Sequence, residues 1–336
     1  MRERPTDERF LTLLFDATGD YVPGARLEER LGVSRPALHQ CAEKLRKLGY
    51  RIEARRHHGY RLVEEPEGLS ALSLAAYRPL VLGAPEMFFL DEVDSTNSAA
   101  EKRLAEGVAT PFAVIADHQT AGRGRFGRPW HAGVGESLLV SLAFRPRRAP
   151  REMPSITLWL GLAVARYLRE ALDLPVMVKW PNDLLLHGRK VAGMLTEARM
   201  DADQLRDLVF GLGLNLRGDP AAWPTEVRER ATTLRAHLSP SLERSWSRET
   251  VRLLAALNQA YERFLEGPIG DELVRLWPDF DALAGRTVTL AERDGPLTGT
   301  ALGIDPEGRL RLRLADGHER TFAAGEVTLG RAAQPR

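Results

Sequence analysis

The chain has 336 residues, 43% of them hydrophobic and 28% charged, with a formal net charge of +1. That balance excludes wholesale disorder and a simple polycation, and the length predicts two or three domains. No stretch reaches the ~18 consecutive apolar residues of a membrane-spanning helix, and the opening MRERPTDERF lacks the apolar run of a signal peptide. The one cysteine, Cys41, excludes an intramolecular disulfide and a cysteine-cluster metal site, so a cytoplasmic protein without a membrane partner is expected.

Residues 1–65 read as helices followed by a basic hairpin. Phe10, Leu11, Leu13 and Leu14 predict a helix that stops near Gly19, and a second, over 25–31, ends at Gly32. Ser34 is placed to cap a third helix, with Pro36 in its first turn. Leu38, Cys41, Ala42, Leu45 and Leu48 form its apolar face, and Gly49 stops it. Between Ser34 and Val63 there are eight Lys/Arg against two acids. Helix, turn, capped helix and a basic pair of strands over 51–63 is the order of a winged helix-turn-helix. DNA binding is the expectation, with Arg35, His39, Gln40 and Lys44 toward the major groove and Arg55, Arg56 and His58 on backbone phosphate. A small helical domain with a solvated charged face is the plainer alternative. Cys41 is expected in the core.

Residues 66–83, punctuated by Pro66, Gly68, Pro79 and Gly83, read as a linker with one short helix. In residues 84–282, strands are predicted over 112–116, 137–144, 176–180, 184–186, 191–199 and 207–216. Helices are predicted over 156–172 and 249–265. Hairpin-like strands with separate helices indicate an α+β fold more than a doubly wound sheet. Residues 283–336 predict a small barrel of about five strands. There Arg309 to Leu314 alternates with period two before an Asp316-Gly317 hairpin turn. The arginines of that stretch read as the solvated face of half-buried strands, or as a binding stripe.

Four motifs carry chemistry. Gln119 is followed by Gly122-Arg123-Gly124-Arg125-Phe126-Gly127-Arg128. Glycines let backbone N–H groups approach an oxyanion, and arginine forks bind carboxylate or phosphate. The run is neither a Rossmann nor a Walker motif, and a mobile or nucleic-acid-touching loop is its alternative. Next come Lys179-Trp180-Pro181-Asn182-Asp183 and Arg189-Lys190-Val191-Ala192-Gly193. Asn182 and Asp183 either close a turn or face a ligand. Only five lysines accompany 42 arginines, so Lys179 and Lys190 inside motifs stand out. Ser95-Thr96-Asn97 suits a polar uncharged head such as a ureido group, although Ser98 with Glu101 also reads as a capping box. Finally, Gly211 to Asn215 is a glycine-punctuated strand, explained equally by close strand packing. His118 and His131 lack metal-ligand spacing, and no metal ligand is assigned.

Together, in this order, these motifs resemble the bifunctional bacterial biotin protein ligases that also repress the biotin operon. The resemblance implies a central ligase domain like that of class II synthetases and an SH3-like C-terminal barrel. It implies that biotin carboxylate attacks the α-phosphate of ATP, with Mg2+, to give biotinyl-5′-AMP and pyrophosphate. A lysine of a biotin carboxyl carrier protein then attacks the mixed anhydride.

By that resemblance Ser95, Thr96, Asn97 and Gln119 hold the biotin head. Gly122, Arg123, Gly124 and Arg125 form a lid, and Arg128 contacts phosphate. Lys190 sits at the carboxylate–phosphate junction beside Gly193, and Asn182, Asp183 and Asn215 neighbour the adenylate or Mg2+. Lys190, Arg125 and Arg128 are the catalytic set. Operator DNA is the second partner, read by a homodimer formed when the adenylate is bound. No adenine contact is assigned within 221–247, which aligns poorly. A lipoate or octanoyl ligase, a biotin sensor without ligase activity, and a ligase that no longer binds DNA are the competing readings.

Overall fold

The computed structural model describes residues 4–201, 204–218, 223, 225–239, 245–292 and 295–329. The chain divides into two compact units, 1–87 with 241–255, and 88–240 with 256–336.

The first unit contains α1 (Thr6–Asp16), α2 (Gly24–Leu31), α3 (Arg35–Lys47), β1 (Arg51–Arg55), β2 (Gly59–Glu64) and α4 (Ala71–Tyr77). Phe10, Leu11, Leu14, Leu27, Leu38 and Leu45 are its fully buried centre. Cys41 is buried there too, and burial pushes its thiol up to about 11. Strands β1 and β2 pair antiparallel around a turn that includes His57 at φ 63° and Gly59 at φ 101°. Gly59 is required, since a Cβ would lie 1.9 Å from the Val22 carbonyl oxygen.

Three expectations change here. Ser34 holds the N-cap position of α3, but its side chain makes no cap hydrogen bond. Leu48, expected on the apolar face, falls at the helix end and is 52% exposed. The segment read as a linker with one short helix does carry that helix, α4, but it is packed on α1. The Thr12 hydroxyl donates to the Ala76 carbonyl at 3.1 Å, and the Phe15 and Tyr77 rings stack at 3.7 Å. A helix that buries aromatic surface in this way is part of the domain core.

The second unit is built on a seven-stranded sheet. Its strands are β3 (Glu86–Val93), β4 (Phe112–Gln119), β5 (Ser137–Phe144), β6 (Val176–Lys179), β7 (Asp183–Leu186), β8 (Arg189–Asp201) and β9 (Gln204–Asn215). The spatial order is β3-β4-β5-β9-β8-β7-β6. From β4 to β6 every neighbouring pair is antiparallel, as the α+β reading requires.

Helix α5 (Thr96–Ala105) covers one face, its Ala99, Ala100 and Leu104 packing with Phe112, Val114, Ala143 and Val209. Helix α6 (Met153–Leu172) covers the other: Thr157 bonds Thr196 at 2.9 Å, and Gly161 lies under Met194. The remaining helices are α7 (Thr225–Arg228), α8 (Trp246–Glu266) and α9 (Gly270–Leu276).

Strands β10 (Thr287–Glu292), β11 (Gly295–Ile304), β12 (Leu310–Leu314), β13 (Glu319–Phe322) and β14 (Glu326–Leu329) form a five-stranded antiparallel sheet in the order β13-β12-β11-β10-β14. Val288, Leu290, Leu310, Leu312, Phe322 and Val327 point into its core. Arg311 and Arg313 sit on the outer face, both paired with Glu319. That is the solvated-face reading of the arginine stripe.

Candidate active site

The floor of the site is the α5-side face of β5, β9 and β8. Gly193 and Gly213 are direct cross-strand partners on that face. A Cβ on Gly213 would lie 2.5 Å from the Trp130 indole, and one on Gly193 would lie 2.9 Å from it. Two bare backbone positions therefore let an aromatic ring lie flat on the sheet. The indole N–H of Trp130 is buried, with no hydrogen-bond partner among the described residues.

The polar end is built where β3 enters α5. Helix α5 starts at Thr96 with Ser95 as N-cap, so the expected Ser98/Glu101 capping box is replaced. Tertiary partners take its members: Ser98 accepts from Arg123 at 2.9 Å, and Glu101 accepts from Arg199 at 3.3 Å. The Thr96 backbone N–H and hydroxyl both donate to Gln119 Oε1, at 2.7 and 3.0 Å. Ser141 Oγ lies 2.7 Å from Thr96 Oγ1 and 2.5 Å from Asn97 Oδ1. Asn97 donates to Glu197 at 2.6 Å. Gly211 makes room for this amide, because a Cβ there would lie 2.4 Å from Asn97 Oδ1. The glycine-punctuated strand is thus explained by close approach of two different side chains.

The glycine–arginine loop crosses over this floor as a closed hairpin. Gly124 N donates to Arg128 O at 2.7 Å and Trp130 N to Gly122 O at 2.8 Å. Its arginines reach three directions. Arg123 pairs with Glu197 at 3.4 Å as well as with Ser98. Arg125, held below the ordinary guanidinium range by burial, donates to Gly325 O at 3.1 Å. Arg128 forms a two-pronged pair with Glu326 of the barrel, one contact at 2.7 Å.

Opposite the loop, Lys190 Nζ lies 2.6 Å from Asp183 Oδ1 and 5.5 Å from the Trp130 ring centroid. Asn182 donates to Met194 O at 2.9 Å. Lys179 faces the same space, and burial holds its ammonium below the ordinary lysine range although Asp183 pulls the other way.

One cavity of about 210 Å3 gathers most of the expected residues: Ser95, Thr96, Asn97, Gln119, Arg123, Gly124, Arg125, Arg128, Asn182, Asp183, Lys190 and Gly193. Gly122 and Asn215 do not line it. Gly122 is buried at the base of the loop, where a Cβ would lie 2.8 Å from Trp130 O. Asn215 caps the end of β9, accepting from Ser137 at 3.4 Å and donating to Thr232 O at 3.1 Å. Through that bond the segment 230–235 is tied to the sheet. It is also tied at Lys190, whose N–H donates to Arg230 O at 2.7 Å. The sequence reading singled out Lys179 without giving it a role, and it assigned nothing to Trp130, Ser141 or Glu326. Pro224 and residues 219–222 and 240–244, within or beside the segment left unassigned, lie outside the described residues.

Comparison with known proteins decides the family. Residues 89–215 match the Biotin/lipoate A/B protein ligase family, residues 284–330 the Biotin protein ligase C terminal domain, and residues 7–61 an HTH domain. The chain is 31% identical to the bifunctional ligase/repressor BirA of Bacillus subtilis (strain 168), over 97% of this chain and 100% of that protein. It is 31% identical to the bifunctional ligase/repressor BirA of Escherichia coli (strain K12), over 98% of each. The chain belongs to the bifunctional biotin ligase/repressor family.

The biotin protein ligase from Aquifex aeolicus in complex with biotin and ATP superposes with a TM-score of 0.58 at 29% identity, covering 74% of this chain and 99% of that one. For a family member the arrangement is chemically apt. A ligase that joins two anions needs fixed positive charge and an enclosed floor more than a nucleophile. Arg123, Arg125, Arg128, Lys179 and Lys190 converge on one cavity that is also lined by the hydrogen-bonding side chains of Ser95, Thr96, Asn97 and Gln119.

In the first unit, Arg35, His39, Gln40, Arg55, Arg56 and His58 are all exposed on α3 and the hairpin. Lys44 is exposed as well, but its ammonium is tied to Asp7, with which it forms an ion pair. Arg61 is engaged by Glu53. No helix among the described residues is long and apolar enough to cross a membrane.

Proposed function

We propose that the chain activates biotin with ATP, transfers it to a lysine of a biotin carboxyl carrier protein, and represses biotin synthesis genes by binding operator DNA with biotinyl-5′-AMP as corepressor. The observation that carries this reading is the convergence of five cations with a Ser95/Thr96/Gln119 polar end on one glycine floor. A ureido head needs a donor for its oxygen and acceptors for its two N–H groups, and hydroxyls with a carboxamide supply both.

With the head there, the carboxylate tail runs over Trp130 toward Lys190. A biotin carboxylate oxygen bonds to the α-phosphorus as the bond to the bridging oxygen breaks, and pyrophosphate leaves. Lys190 and Arg128 hold the charge spread over the transferring group. The acceptor amine then attacks the anhydride carbonyl, AMP leaves with the bonding pair, and the amine loses a proton. Arg125 and its loop keep water from the anhydride. The residues suit Mg2+ bound mainly through nucleotide phosphates: Asp183 and the Asn182 amide offer oxygens beside the cavity, and Mg2+ commonly takes one or two carboxylates plus phosphate oxygens.

Arg35, His39, Gln40 and Lys44 read base edges while Arg55, Arg56 and His58 meet phosphates, in a homodimer formed on adenylate binding. The chain works in the cytoplasm. Co-incubation with biotin and Mg-ATP followed by native mass spectrometry tests the core of the reading. Retained mass of biotinyl-adenylate is expected. No retained biotinyl-adenylate, with lipoyl-adenylate retained when lipoate replaces biotin, overturns it.

A further inference from the structure

We propose that Glu326 of the barrel is a positioning residue for nucleotide entry: it holds lid residue Arg128, and an incoming phosphate takes its place. This rests on the assignment of Arg128 to phosphate. Three observations carry it.

First, the cavity of about 210 Å3 falls below the ~300–1,000 Å3 of sites that enclose drug-sized ligands. A biotinyl nucleotide enters only if the lid shifts. Second, the lid is fastened to the barrel at one corner. Arg125 donates to Gly325 O, and the two terminal nitrogens of Arg128 donate one to each Glu326 carboxylate oxygen. That corner is itself rigid. Gly325 has φ 148° and lies so close to Leu290 that a Cβ would come within 2.4 Å, while Val327 is 2% exposed in the barrel core. The barrel is the fixed jamb and the lid the moving part. Third, the partners are matched to exchange. An arginine fork holds a carboxylate or a phosphate through the same two parallel N–H groups, so one ligand excludes the other.

The pair is also weak enough to yield. The side chains of Arg128 and Glu326 are 62% and 41% exposed. Exposed pairs of this kind are worth no more than ~1 kcal/mol, which is about five-fold in an equilibrium.

The test uses the full chain. Glu326→Gln keeps the shape and removes the charge. ATP KM in pyrophosphate release is expected to fall about two- to five-fold, and the fall is expected to shrink at high salt. Trypsin is expected to cut within 123–128 faster in this variant than in the parent when no ligand is added, with the melting midpoint unchanged. In an Arg128→Gln background, Glu326→Gln is expected to do nothing more.

A rise in ATP KM on Glu326→Gln overturns the proposal, because Glu326 then only supports the lid. An unchanged KM alongside a raised KM for Arg128→Gln overturns it as well, while the phosphate assignment stands. If Arg128→Gln leaves ATP KM unchanged, the phosphate assignment itself fails.

Discussion

Replacing Gly211 with alanine tests the polar end of the site most directly. The backbone at Gly211 needs no left-handed conformation, so the cost is purely steric: the new Cβ would stand 2.4 Å from Asn97 Oδ1. Asn97 cannot swing aside cheaply. It is 4% exposed, and Ser141 and Glu197 hold it at 2.5 and 2.6 Å. Overpacking of this kind costs about 1–3 kcal/mol, which for a unit of this size moves the melting midpoint by ~2–4 °C per kcal/mol. Asn97→Ala alone costs ~1–3 kcal/mol through the polar groups it strands.

The double variant puts the added methyl into the space the amide vacates. Its loss is therefore expected to fall short of the sum of the singles by at least ~1 kcal/mol, the coupling expected of touching groups. The assay is thermal unfolding, following the transition that added biotin shifts. Additive losses in the double variant would falsify the steric account of Gly211, and the strand glycine would then need another explanation.

Three other outcomes are expected. Lys190→Ala slows pyrophosphate release by about 10²–10³-fold, the usual effect of deleting one charge-stabilising donor; normal release would remove Lys190 from the mechanism. Burial holds Lys179 below the ordinary lysine range, and a bound polyanion favours its charged form. In the pH range where free Lys179 titrates, nucleotide binding therefore takes up part of a proton, and affinity falls as pH rises through the depressed pKa. Calorimetry in buffers of different ionisation enthalpy should show this uptake, and Lys179→Arg should abolish it; the same uptake in that variant refutes the assignment. Lys44→Ala/Arg55→Ala keeps ligation but weakens operator binding, and the log–log salt slope becomes shallower by ~0.9 for each DNA phosphate no longer neutralised. Equal DNA affinity would make the first domain structural.

Much of the fold was legible because strand alternation and helix stops are local signals. The strand over 137–144 was placed as observed, and the 112–116 strand only needed extending to Gln119. Strand β3 was missed, since Phe88, Phe89 and Leu90 run together without alternation. The capping box failed for a physical reason: Ser98 and Glu101 find stronger partners in Arg123 and Arg199, far along the chain.

The same distance hides the missed site residues. Glu326 reaches Arg128 across 198 positions. Ser141 sits unmarked within an apolar strand, and Trp130 announces itself only through the two glycines beneath it. Those glycines were visible, and a pair of them destined to be cross-strand neighbours is the signal that a flat ring lies above.

Three of the site's five cations already have a carboxylate partner. Arg123 has Glu197, Arg128 has Glu326, and Lys190 has Asp183. A stray sulfate or a small organic acid offers one such partner a rival and gains little by the trade. A ligand long enough to reach all three exchanges three carboxylate partners for its own charges, where a single small anion exchanges one.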